Sequence, residues 1–121
     1  MRNIFAVFYE TQSMNILSIG YNRHINKNSM IHAEVDAINK LFYVKKKKYI
    51  SMLIIRFNKN NDLLISLPCQ LCISYMCKLK HNNYILSNIY YSINNNNIEK
   101  IKFYNINLIE KHYSCNYYKN H

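Results

Sequence analysis

"MIHAEVDAI", residues 30–38, and "LPCQLC", residues 67–72, decide how the rest of the chain is read. The first holds His32 and Glu34 two residues apart. The second holds Cys69 and Cys72 three apart, behind Pro68. Around His32 the apolar period becomes helical. Val35, Ile38, Leu41 and Phe42 recur at helix spacing and Ala33 and Ala37 add propensity, so a helix is predicted from His32 to about Phe42. Pro68 suits a helix start, and residues 69–79 read as a second helix with Cys69, Cys72, Ile73, Met76 and Leu79 broadly on one face.

Strands flank these helices. Residues 3–9, "NIFAVFY", are β-branched and aromatic and end at polar "ETQS"; residues 14–19, "MNILSI", read as the second arm of a hairpin. Gly20 is then expected to make a turn that other residues resist, followed by a polar loop over 21–31. "YISMLIIRF", 49–57, is the most apolar stretch and the expected central strand. Residues 84–92 give another strand. Residues 98–109 fit a fifth strand, but Ile98, Ile101, Tyr104 and Leu108 also fit one face of a helix. The order β-β-α-β-α-β predicts a mixed α/β domain.

At 121 residues one domain is the natural reading, with its core at about 3–92 and a tail at 93–121. No apolar run approaches the ~20 residues of a membrane helix. "MRNIFAVFYETQ" turns polar too early for a signal peptide, so a cytoplasmic protein with no membrane partner is expected. The net charge of +10 suits a polyanion such as nucleic acid. Yet Asn, Lys, Ile and Tyr, all with AT-rich codons, abound throughout, and thirteen of the sixteen basic residues are Lys. Base bias accounts for such a charge, and Lys45–Lys48 read as a solvated loop. Against that bias, the single Gly (Gly20), the single Pro (Pro68) and two of the three Ala (Ala33, Ala37) sit in or beside the two key stretches. Geometry is therefore expected to constrain them.

Cys69-x-x-Cys72 on the first turn of a helix puts both sulfurs on one side, where the helix N-terminus favours thiolates. His32, from the start of the other helix, supplies a third ligand for Zn²⁺, and a catalytic zinc leaves one position for water. Glu34 is too close in sequence to be a comfortable fourth ligand. It is well placed to accept a proton and pass it on.

His-x-Glu followed by Pro-Cys-x-x-Cys is the signature of zinc nucleobase deaminases. "HAEVDAI" with "PCQLC", preceded by "ILSIGYNR", resembles the cytidine and deoxycytidylate deaminase superfamily over roughly residues 3–92. The resemblance implies a three-layer α/β domain with a central mixed sheet of 4–5 strands. It implies His32, Cys69 and Cys72 as zinc ligands and Glu34 as the proton shuttle. It also implies Asn22 and the Ala33 backbone N–H as substrate contacts. The expected reaction converts cytosine, in a free nucleoside or nucleotide, to uracil and ammonia.

Two departures matter. Only about five residues separate Ser92 from Ile98, too few for a parallel crossover, so a fifth strand there would be antiparallel, as in the cytidine deaminase branch. Members also carry a helix before the first strand, and here the reading gives a strand from residue 3. One sheet face is then left for a partner subunit, and a homo-oligomer is expected. Other readings stay open: deamination of cytosine or adenosine within a nucleic acid, a non-catalytic zinc-binding relic, a structural zinc site completed by Cys77 or Cys115, or a redox Cys pair.

Overall fold

Lys48–Phe57 (β5) takes the centre of the sheet because most side chains along it are apolar and both its long edges are paired. In the computed structural model, which describes residues 3–26 and 29–103, the order along the chain begins with strands β1 (Ile4–Glu10) and β2 (Ile16–Tyr21). A short ribbon, β3 (Arg23–Asn26) with β4 (Ser29–Ile31), leads to helix α1 (Ala33–Asn39) and then to β5. After β5 come β6 (Leu63–Leu64), helix α2 (Gln70–Met76), a 3₁₀ turn (Leu79–Asn82), β7 (Tyr84–Asn94) and β8 (Asn97–Lys102). The main sheet runs β2-β1-β5-β7-β8, with β6 paired to the end of β5. β5 and β7 are parallel, and the other pairs are antiparallel. This is a mixed α/β domain of the expected class. The fifth strand pairs antiparallel with β7 through a tight hairpin, with Ser92 opposite Ile98 and Asn94 opposite Asn97.

Alternation along the strands sends Ala6 and Phe8, Ile50, Met52 and Ile54, and Leu86 and Ile89 to one face. There they meet Val35 and Ala37 of α1, Cys72, Ile73 and Met76 of α2, and Leu79. Phe8, Ile50, Met52, Ile54 and Ile89 are fully buried, and each contributes about 1.5–3 kcal/mol by leaving water. On the opposite face Val7, Tyr9, Met14, Ile16, Leu53, Tyr90 and Ile98 line an open hollow of about 630 Å³. No helix among the described residues is long and apolar enough to cross a membrane.

Several expectations need correction. Gly20 is not a turn residue. It lies inside β2, opposite Ala6, with no positive φ. Its role is close approach: a Cβ there would lie 2.2 Å from the Ala33 carbonyl oxygen and 2.3 Å from the Ala37 nitrogen. The lone Gly and two of the Ala are thus the two sides of one contact, in which α1 rests its backbone on β2. The expected loop over 21–31 is largely the β3–β4 ribbon, in which backbone pairing supplies the order. Its mostly exposed side chains carry no alternation that a sequence could reveal. Both helices are shorter than expected. α1 stops at Asn39, and Phe42 is exposed rather than on its buried face. α2 stops at Met76, and Leu79 reaches the core from the 3₁₀ turn instead. Residues 104–109 lie outside the described residues.

A second tether fixes α1. The buried Asp36 accepts hydrogen bonds from the Tyr21 N–H at 3.0 Å and from Arg23 at 3.3 Å, and pairs with Lys40 at 3.1 Å. Lys40 also donates to the Ile19 carbonyl. The end of β2 and the start of β3 are thereby clipped to the helix that begins beside His32. Arg23, with its charge committed here, has a structural role. Burial pushes the Asp36 carboxyl up, but the Tyr21 N–H, Lys40 and Arg23 outweigh it and hold it below the usual range.

Gly20→Ala should cost about 2–3 kcal/mol, because the new methyl meets backbone that cannot step aside; urea unfolding would read this as a lower midpoint at unchanged slope. An unaltered midpoint would show that α1 is free to move. The depressed Asp36 contributes stability that is present above the unfolded carboxylate pKa of about 3.9 and lost as pH falls through its lower folded value. Asp36→Asn should therefore be less stable near neutrality and show a flatter loss of stability in acid, followed by thermal melts from pH 7 downward.

Candidate active site

Helices α1 and α2 start side by side, and the residue capping each N-terminus carries chemistry. His32 caps α1 and Cys69 caps α2, both in extended backbone conformation. Cys72 lies one turn into α2. Three donor atoms converge: Cys69 Sγ is 3.2 Å from His32 Nδ1 and 3.2 Å from Cys72 Sγ, and Cys72 Sγ is 3.4 Å from His32 Nδ1. Tetrahedral zinc, with bonds of ~2.3 Å to sulfur and ~2.0 Å to nitrogen, separates such ligands by ~3.5–3.8 Å. The observed edges fall a few tenths of an ångström short of that, and the soft sulfur and imidazole donors are of the type zinc selects. These three residues could hold a metal ion, and among the described residues they are the group that could do so. Cys77 is not in the group, and Cys115 lies outside the described residues.

The two sulfurs share a proton unequally. The hydrogen bond between the two sulfurs, opposed by burial and aided by His32, brings the Cys69 thiol down to about 5. The same hydrogen bond, with burial and the nearby Glu34, pushes Cys72 up. A dication would displace that proton, since metal ligation needs thiolates.

Glu34 is 6% exposed, and burial pushes its carboxyl up, against its own backbone N–H and Cys72. A carboxyl held in this way binds its proton more tightly than an exposed one. It lines a cavity of about 200 Å³ together with Asn22, His32, Ala33, Ile54, Arg56, Ser66 and Cys69. The five residues singled out from sequence that line this cavity are thus His32, Ala33, Glu34, Cys69 and Asn22, and Cys72 joins them through the sulfur–nitrogen cluster. A larger hollow of about 610 Å³, lined by Glu10, Lys46, Lys47 and Lys48, has more room but no group of three metal-ligating side chains among the described residues. It lies at the other end of β5 from Ile54 and Arg56.

Asn22 is positioned differently from a free substrate contact. It is buried, and its Oδ1 accepts from the backbone N–H groups of Asn3 and Ile4 at 3.0 and 2.9 Å, while its Nδ2 donates to Asn3 Oδ1. Its side chain holds the start of β1 against the cavity.

Sequence reasoning missed three supports. Asp36 is one. The second is a buried pair, Ser66 and Ser92, which joins β5, β6 and β7 just ahead of Pro68. Ser66 Oγ donates to the Ile54 carbonyl and accepts from the Ser92 N–H, and Ser92 Oγ donates to the Leu64 carbonyl and accepts from the Arg56 N–H. This knot fixes the strand end from which the Cys69 segment departs. The third is Arg56, an exposed cation on the cavity lining. Serines within strand stretches carry no signal of such pairing; only the sheet register brings 66 and 92 together.

No family model matches the chain, and no curated protein does. Among solved structures, the crystal structure of cytidine deaminase from Burkholderia pseudomallei is similar, with a TM-score of 0.61 at 12% identity. The match covers 87% of this chain and 78% of that one. At that identity the likeness concerns the fold: this chain has a cytidine deaminase-like fold.

Proposed function

We propose that the protein is a zinc-dependent hydrolytic deaminase acting on a cytosine base, yielding uracil and ammonia. The observation that carries the reading is a buried carboxylate, Glu34, set against a three-donor cage on the wall of one small cavity. The fold shared with a cytidine deaminase supports it. His32, Cys69 and Cys72 would hold the metal, leaving room for water. Zinc bound there would supply Lewis acidity, making water a usable nucleophile at neutral pH.

The chain's own groups do the rest. Glu34 takes a proton from the attacking water and delivers it to ring N3 as oxygen joins C4. It then carries a proton to the exocyclic amine, which leaves as ammonia while the C4 carbonyl forms. Burial raises its proton affinity, so both transfers run through one carboxyl. Ile54, Ile65 and Leu67 on the cavity lining keep bulk water from the carboxyl and the ring. The Ala33 backbone would meet the base carbonyl, and Asn22, though committed to Asn3 and Ile4, would shape the sugar side. Arg56 at the lining suits a phosphate, which favours a nucleoside monophosphate over a bare nucleoside. A homo-oligomer in a cytoplasmic setting fits this reading.

Ammonia release measured over cytidine, deoxycytidine, their monophosphates, single-stranded DNA and transfer RNA tests the proposal; no release from any of them would leave the non-catalytic zinc protein. Elemental analysis should find one zinc per chain, sharply reduced in Cys69→Ser and Cys72→Ser, and chelation should lower the melting temperature. Retention of zinc by Cys69→Ser would refute the cage. Glu34→Gln should keep zinc and fold while turnover drops by roughly 10²–10⁴. Near wild-type turnover in that variant would remove Glu34 from the mechanism.

A further inference from the structure

Residues 42–49, "FYVKKKKY", remain unused by the site. Base bias explains why they hold Lys and Tyr, but it does not explain how they are displayed. Phe42 is 80% exposed, Tyr43 62% and Tyr49 58%, and Lys45, Lys46 and Lys47 are exposed between them. This loop is held to the body of the protein at several points. Tyr84 Oη donates to the Phe42 carbonyl, and Val44 N donates to the Asn82 carbonyl. Asn83 Nδ2 reaches the Val44 and Lys45 carbonyls, and the Val44 side chain packs on the core. The pinned backbone holds Phe42 and Tyr43 in solvent. The neighbouring 3₁₀ turn adds Lys80 and His81, both exposed. Lys48 is committed to Glu10 at 3.6 Å, and that carboxylate is the acidic group in the adjoining hollow.

From this display we infer a docking surface for single-stranded nucleic acid, separate from the cavity. Lysines track phosphates by releasing condensed counterions. Exposed rings give faces on which unpaired bases stack, whatever their sequence. A pinned backbone means little ordering entropy opposes binding. Outward rings on both sides of a block of cations offer stacking faces beside a track for phosphates, and a duplex offers no unstacked base to such rings. An anionic lipid surface would also draw the lysines, and the experiment separates the two. The surface does not depend on the deaminase reading, since binding is measured without turnover.

Fluorescence anisotropy would follow a labelled twenty-nucleotide single strand, the same sequence as a duplex, and vesicles containing phosphatidylserine, over a range of salt. The full-length protein should prefer the single strand. Replacing Lys45, Lys46 and Lys47 with Ser should weaken binding and flatten the log–log salt dependence by about 2, at about 0.7 per phosphate contact. Phe42→Ala with Tyr43→Ala should weaken binding roughly tenfold or more while leaving the salt slope unchanged. All five side chains are exposed, so the melting temperatures should stay at the wild-type value. Equal affinity for duplex, wild-type affinity in the ring variant, or vesicle binding that needs the patch while the oligonucleotide does not would each overturn the inference.

Discussion

The arrangement depends on one close contact. Helix α1 lies so near β2 that the Gly20 position has no room for even a methyl group. That approach lets the short, seven-residue α1 bury Ala33 and Ala37 completely. A helix this short is marginal alone in water, so its stability comes from what it rests on. If α1 stood off by the width of one side chain, His32 at its cap would no longer reach the two sulfurs at 3.2 and 3.4 Å. Metal ligation tolerates only tenths of an ångström. Packing on the sheet is therefore the condition for the site.

Two polar ties complete the alignment. Asp36 clips the end of β2 to α1, and the Ser66–Ser92 pair clips β6 to β5 and β7 ahead of α2. Each is buried and each accounts for several backbone or charged groups at once. Buried polar groups left without partners cost about 1–3 kcal/mol each, so such pairs fix geometry more firmly than apolar packing does. One tie governs the helix that carries His32 and Glu34. The other governs the segment that leads to Cys69 and Cys72. The cavity between them is small because the two helix starts are drawn together.

The two ends of β5 divide the molecule's chemistry. At the Ile54–Arg56 end lies the cavity with its buried carboxyl. At the Lys48 end lies an exposed surface of rings and lysines on a pinned loop. The first is buried and polar at a few points. The second is open and basic. Such separation lets the second surface hold a polymer without filling the first.

Much was legible in the sequence. The convergence of His32, Cys69 and Cys72, a group that could hold a metal, was readable because donor types at helix starts are a local feature. The strands expected at 3–9, 14–19, 49–57 and 84–92 were readable from alternation and apolar runs, and the short Ser92–Ile98 gap required that a fifth strand, if formed, be antiparallel, while strand and helix both fitted residues 98–109. The scarcity of Gly, Pro and Ala marked the constrained positions, though not what constrained them. Gly20 carries the same letter whether it turns a chain or admits a helix, and only the packing of α1 decides. Asn22 lines the cavity, but its bonds to Asn3 and Ile4 appear only once the fold brings those residues within reach. Asp36, Ser66 and Ser92 draw their importance from partners up to tens of residues away, and Phe42 its exposure from where α1 stops. Local chemistry is written in neighbouring residues, whereas close approach, burial and long-range hydrogen bonding exist only once the sheet has set its register.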